Sequence, residues 1–278
     1  MQTYTKNNER HDHFDSVHEW LALASVNAHK SRYYEQSSDF TGFTTGKQLT
    51  QRIQSNNAVS SVLSRAQDEL QNNVELHTSI QPEMMLQHDE QGMFIDMTAY
   101  TSGDEYAMIN CEIVEQPKKV VWLAVSFGAL ARAKDYQFAN RGIAVMQGIR
   151  HMQAQNISVG IIGYSACRQH DCAPDSSYGY HSQSIVIKEP NAQINESLIL
   201  NMLADCATLR TIGFAIRAHC TGDDHGATIT MKKNLLNNTR FADEKLLILD
   251  ADPSLNKFKT LECGKAYVKQ QLDSTQAH

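Results

Sequence analysis

The sequence predicts an α/β protein with a mixed, centrally parallel sheet and helices on both faces, carrying a helical N-terminal region. Three observations carry this expectation. Val120-Val121-Trp122-Leu123-Ala124-Val125 and Ile157-Ser158-Val159-Gly160-Ile161-Ile162-Gly163 are almost unbroken apolar runs, the pattern of strands buried on both faces. Between them, from about Gln137 to Gln155, lies a helical pattern; parallel strands need such a crossover, and it is right-handed. A later run, Leu246-Leu247-Ile248-Leu249-Asp250, reads as a further buried strand.

The chain divides into three parts. Residues 1–12 are polar, rich in Asn, Lys, Glu and His, and are expected to be a disordered tail. Residues 13–75 form a helical region. Phe14, Val17, Leu21, Ala24 and Ala28 recur at helical spacing, with Asp12 or Asp15 as candidate caps and Trp20 off the stripe. Ser37 to Thr45 is rich in turn formers, and helices follow over Gly46–Ser55 and Ala58–Leu70, broken at Asn56-Asn57. Residues 80–278 form the α/β core. Within it, Met93 to Met97 alternates loosely, Thr101 to Asp104 is turn-forming, and the strand Tyr106 to Glu115 runs through Pro117-Lys118-Lys119 into the central strand, a connection short enough to demand antiparallel pairing. Ser165 to Tyr180 reads as a long polar loop and Ser182 to Lys188 as a strand. Helices are expected over Asn195–Ala207, Leu209–Ala218 and Ser254–Leu272.

Composition bounds the function. The 278 residues carry a formal net charge of −6, the wrong sign for a duplex-DNA coat. No stretch approaches the roughly 20 apolar residues needed to span a bilayer. Met1 to Asp12 lacks the apolar centre of a secretory signal, so an intracellular protein is expected. The six cysteines then read as free thiols, with Cys111 and Cys206 as small core residues.

Several segments resemble a family of uncharacterised tailed-phage proteins. Ile95-Asp96-Met97-Thr98-Ala99-Tyr100-Thr101-Ser102-Gly103-Asp104 is similar to that family's valine-aspartate, tyrosine-leucine, glycine-glutamate-proline motif, with Tyr106 where the proline usually stands. Arg141-Gly142-Ile143-Ala144-Val145, Leu209-Arg210-Thr211-Ile212-Gly213-Phe214 and the loop Phe40-Thr41-Gly42-Phe43-Thr44-Thr45-Gly46 continue the likeness over roughly two-thirds of the chain. The resemblance implies a virus-encoded protein of the host cytoplasm and brings no activity with it. More loosely, the core resembles a von Willebrand factor A-like or Rossmann-like domain. Where such a domain has its aspartate-x-serine-x-serine loop, this chain has Ala124-Val125-Ser126-Phe127-Gly128, without the anchoring carboxylate. A hard cation needs oxygen ligands, so no metal is expected there.

The densest chemical segment is Cys167-Arg168-Gln169-His170-Asp171-Cys172, with His181 beyond it. Cys167, His170, Cys172 and His181 are candidate zinc ligands, although their spacing matches no common zinc pattern. His219, Cys220 and His225 join them if the two loops meet at one edge of the sheet. The same residues admit a thiol nucleophile with a histidine base. A cytidine deaminase is excluded, because His-x-Glu and Pro-Cys-x-x-Cys are missing. No phosphate-cradling glycine motif is present either.

Candidate binding residues are Ser126, at the carboxyl end of a central strand where open α/β sheets bind ligands, and the cations Arg132, Lys134 and Arg141 that follow it. Tyr178 and Tyr180 beside Arg168, and Tyr33-Tyr34 beside Lys30 and Arg32, offer the aromatic-plus-cation pairing that holds single-stranded nucleic acid. Against each stands a plainer reading, as solvated loop charges and packed tyrosines. The expected function is non-catalytic: a phage accessory or adaptor protein that binds a viral or host protein, such as a polymerase, in transcription or replication, with single-stranded DNA as a further partner. No cofactor is expected, zinc being the alternative. The rivals are a metal- or thiol-dependent hydrolase built on the Cys167–His181 and His219–His225 loops, and a virion structural component.

Overall fold

The computed structural model describes residues 1–6, 9–58, 60–71, 84–89, 94–104, 106–113, 119–168, 179–222, 227–228, 241, 246–249 and 254–276. In chain order the elements are β1 (Gln2–Lys6), β2 (Glu9–Phe14), α1 (Val17–Val26), α2 (Gly46–Gln54), α3 (Ser60–Gln71), β3 (Met84–Asp89), β4 (Phe94–Ile95), α4 (Met97–Ser102), β5 (Met108–Ile113), β6 (Lys119–Ser126), α5 (Asp135–Ala154), β7 (Ile157–Arg168), β8 (Tyr180–Lys188), α6 (Glu196–Ala204), α7 (Phe214–Thr221), β9 (Ala227–Thr228), β10 (Leu246–Leu249) and α8 (Leu261–Gln276).

The main sheet is mixed and flanked by helices, ordered β1-β2-β8-β7-β6-β10, with β9 added along β7. Its centre is parallel: β6 pairs β7 and β10 in register from Trp122↔Leu246 and Lys119↔Ile157. The α/β architecture expected from the apolar runs is therefore present. β8 reverses direction against β7, and β2 then lies parallel to β8.

Side chains alternate across the sheet. Val121, Leu123 and Val125 face the main core, shared with buried residues of α1, α5, α6, α7 and α8. Trp122, Ile162, Val186 and Phe241 make a small cluster on the other face. Among the described residues, the buried side chains of these helices belong to the cluster on the first face. From the helical region, Leu49, Ile53 and Ala66 join the main cluster.

Three further expectations need correction. Residues 1–12 are not a disordered tail: β1 and β2 form a hairpin, and β2 enters the sheet from Glu9↔Tyr180 to Phe14↔Ile185. The cap of α1 is Ser16, whose side chain accepts from Glu19 N, rather than Asp12 or Asp15. The strand preceding β6 does not pair with it; β5 instead centres a separate sheet, β3-β5-β4. The antiparallel steps in the main sheet are β1 against β2 and β7 against β8 and β9.

Close approach fixes how α5 meets α6. A Cβ at Gly142 would lie 2.3 Å from Ala204 Cβ and 2.9 Å from its Cα. Beside it, the buried Arg141 donates from Nε (3.1 Å) and Nη2 (2.8 Å) to Leu203 O. It also donates from Nη1 to Gly128 O at 3.4 Å. Arg210 braces the same loop, donating to Ala131 O and Ala133 O, and reaches Phe40 O as well. Trp20, off the α1 stripe, is fully buried. Its ring meets Phe127 edge-on at 5.8 Å and its Nε1 donates to Gln183 Oε1 at 2.9 Å.

Gly142→Val forces α5 off α6. It should cost at least the roughly 1–3 kcal/mol typical of overpacking and lower the midpoint of thermal unfolding by about 2–4 °C per kcal/mol. A melt indistinguishable from wild type would show that the helices do not meet at this glycine.

Candidate functional site

Chemistry-bearing side chains gather where β2, β7 and β8 meet the end of α7. Cys167 and His181 are cross-strand partners in the β7–β8 ladder. Asp12 reaches them from β2 because Arg10 pairs with His181 and Asp12 with Gln183, two residues on along the same face. Cys220 lies in the last turn of α7, which stops at the left-handed Gly222 (φ 80°). Arg10 ties that turn to the sheet by donating from Nη1 to Cys220 O at 2.7 Å.

The cluster is dry. Asp12 and Cys167 have no exposed surface and His181 has 1 %. His181 Nε2 donates to Asp12 Oδ2 at 2.9 Å. Asp12 also accepts from Thr3 Oγ1 on Oδ1 (2.7 Å) and from Arg10 Nε on Oδ2 (2.9 Å). Burial alone would raise the Asp12 carboxyl; the hydrogen bonds from His181, Arg10 and Thr3 outweigh it and hold the group below its usual range. Burial opposes protonation of His181, but hydrogen bonds with Asp12, Cys167 and Cys220 lift its imidazole to about 10. Burial would also raise the Cys167 thiol, yet the Arg217 charge and the contact with His181 bring it down. Cys220 goes the other way, raised mainly by burial.

On the opposite face of the same strands, His11 bonds Ser182 Oγ (2.8 Å) and Ser184 Oγ (2.9 Å). His13 meets Ser184 Oγ at 2.8 Å. Burial, then the neighbouring His13, depresses His11 to about 3, so it is a neutral hydrogen-bonding residue of the sheet.

The zinc candidates named from the sequence are thus partly brought together. Cys167 and His181 meet, and the second loop does approach through Cys220, whereas His219 is bonded outward to Lys30 Nζ at 3.1 Å. His170, Cys172, His225 and Tyr178 lie outside the described residues. Asp12 was missed, because a polar terminus gives no sign that it becomes a strand. Ligand atoms of Asp12, His181 and Cys220 all lie within 4.8 Å of one another, and all three residues are buried.

Of the candidate binding residues, Ser126 and Arg141 are both buried and both bond the Gly128 backbone. Ser126 is buried, and its Oγ accepts from Gly128 N at 3.1 Å. Arg141 is an internal brace, so it does not present a cation to a ligand. Arg132 and Lys134 are exposed and Tyr180 is half-buried on β8. Tyr34 is buried, and Tyr33 packs against Phe40 (5.2 Å) and Phe214 (5.4 Å), so these tyrosines serve packing.

The surface has a different focus. Phe94, Ile95, Met97, Tyr100 and Tyr106 are each between 50 and 64 % exposed, and all belong to one short segment. Consecutive strand residues point to opposite faces, so exposure of both Phe94 and Ile95 means that β4 is uncovered on both sides. The segment is shaped locally. Asp96 caps α4 by accepting from Thr98 N (2.9 Å) and Ala99 N (3.2 Å). Gly103 closes it with φ 78°, and Asp96 N returns to Ala107 O at 2.8 Å. Where the sequence suggested a loose strand and a turn, there is a capped helix presenting Met97 and Tyr100.

A family model for a domain of unknown function, DUF7192, matches residues 2–273. The chain belongs to the DUF7192 family. The match begins at the first residue of β1 and ends within α8, so the buried cluster and the exposed segment both lie inside the DUF7192 domain. No curated protein and no solved structure matches the chain.

The Asp12–His181 pair sets a pH window. The lowered Asp12 pKa stabilises the fold above the unfolded carboxyl value, about 4, and that stabilisation is lost as the pH falls below it. The raised His181 pKa stabilises the fold fully below about 6.5, and that part fades as the pH climbs toward 10. In chelator-treated protein, the difference in urea midpoint between wild type and Asp12→Asn should be largest between about pH 4 and 6.5 and shrink on both sides. A difference independent of pH from 3 to 10 would contradict the pairing.

Proposed function

We propose that the protein is a non-catalytic adaptor, of the tailed-phage class its sequence resembles, which binds a protein partner in viral transcription or replication in the host cytoplasm. The observation that carries this reading is the exposed apolar segment 94–106. Large apolar side chains concentrated on a surface mark an interaction site, and Phe, Tyr and Met are the residues enriched at protein interfaces. The segment also coincides with the motif on which the phage resemblance rests. Its caps hold α4 in shape without core contacts, which suits a preformed docking element.

Closure of the Cys167–His181–Asp12 cluster supports the same reading. A thiol nucleophile has to touch its substrate, and Cys167 has no exposed surface. The thiol-dependent hydrolase therefore fits less well. The acidic total of −6 and Asp104 at the patch favour a partner whose face is apolar and rimmed by basic groups, rather than a nucleic acid.

Met97→Asp with Tyr100→Asp tests the proposal, because neither side chain is buried and the fold should keep its melting temperature within about 1–2 °C. A photo-crosslinker placed at Phe94 should capture a discrete protein from infected cells, before and after nuclease treatment. The double variant should lose it. Equal capture by wild type and variant, or capture abolished by nuclease, would overturn the reading, as would turnover of any substrate by the purified protein.

A further inference from the structure

The buried cluster has a chemical use that adaptor binding does not account for. We propose that it is a zinc-class metal site, in which Asp12, His181 and Cys220 ligate one divalent cation and Cys167 supplies the fourth donor. Three elements deliver the first three ligands, β2, β8 and the last turn of α7, and their ligand atoms already lie within 4.8 Å of one another. A cation about 2.0–2.3 Å from each donor fits a group of that size with small side-chain movements. Cys167 stands across the ladder from His181 and hydrogen-bonds it. One imidazole, two thiolates and one carboxylate form a donor set that zinc accepts in its tetrahedral geometry.

The surroundings are those of a metal ligand shell. Arg10 and Thr3 both donate to Asp12 Oδ1, at 3.2 and 2.7 Å, and so orient the carboxylate whatever Oδ2 touches. Oδ2, which now accepts from both His181 Nε2 and Arg10 Nε, is the oxygen that turns to the cation. Such outer hydrogen bonds fix ligands and tune their basicity. Three anionic donors around a dication leave one excess negative charge, and the Arg10 guanidinium on Asp12 offsets it. Arg217 is buried, and its Nε and Nη1 have no hydrogen-bond partner among the described residues. A guanidinium so placed suits a site that gathers thiolates. The oxygen-poor, sulfur-bearing set disfavours magnesium and calcium. Binding joins the N-terminal hairpin, the β7–β8 end of the sheet and α7 through one atom, and releases protons from His181 and both thiols.

The test uses the full chain purified without chelator. Elemental analysis should find about one zinc per chain, falling at least fivefold in Cys220→Ser and His181→Ala. Cys263→Ser, at an exposed cysteine outside the cluster, should leave it unchanged. Cobalt added to chelator-treated wild type should give the sulfur-to-cobalt charge-transfer band and the intense visible bands of a tetrahedral site; this arm decides the question even if a variant fails to fold. Wild type that holds less than a tenth of an equivalent of zinc and gives no thiolate–cobalt band would overturn the proposal. Zinc lost equally from Cys263→Ser would do the same. Neither result bears on the adaptor reading, whose variants lie on the 94–106 segment.

Discussion

The hydrogen bond from His181 to Asp12 is the contact on which the polar half of this fold depends. It is direct and buried, between a strand from the N-terminus and a strand from the middle of the chain. A buried charge left without its partner costs several kcal/mol, and breaking such a pair typically costs about 3–5 kcal/mol. Asp12 tolerates burial because Thr3, Arg10 and His181 together supply its hydrogen bonds. Arg10 then carries the network to the end of α7 through Cys220 O. One set of contacts thereby closes β1 against β2, docks β2 on β8 and seats α7 over both.

The parallel centre of the sheet was legible because apolar burial writes itself into sequence. Strands β6 and β7 are buried along most of their length, β10 is buried at Leu247 and Leu249, and their runs are almost unbroken apolar stretches. Glu9-Arg10-His11-Asp12-His13 hides a strand, because its burial is compensated by partners that sequence reading does not supply. Both ring nitrogens of His11 meet Ser182 and Ser184, and His13 Nδ1 meets Ser184, more than 160 residues away along the chain. Arg141 misled for the same reason. A basic residue after a glycine-containing turn reads as a surface cation, yet its guanidinium satisfies carbonyls inside the fold. Cys167 and His181 were visible as reactive residue types, and Cys220 was visible only on condition that two loops meet. Asp12 was not visible at all.

Polar chemistry in this protein sits inside, and apolar surface sits outside, in the 94–106 segment. That inversion separates the two candidate activities. The interior cluster is closed, which suits a structural or metal-holding role. The α4 segment is shaped by its own caps, Asp96 and Gly103, and leaves its apolar groups to another molecule. The segment stood out only by its resemblance to a family motif, and its helical form was obscured by turn-forming residues, of which Asp96 here serves as cap and Gly103 as terminator.

Amide hydrogen exchange of residues 9–14 tests the central claim most directly. If the Asp12–His181 bond locks β2 into the sheet, these amides should exchange as slowly as those of β8, within the most protected class of the molecule. His181→Ala should accelerate residues 9–14 selectively, ahead of β6 and β7. Fast exchange of residues 9–14 in the wild-type protein, at the rate of a frayed terminus, would contradict the account.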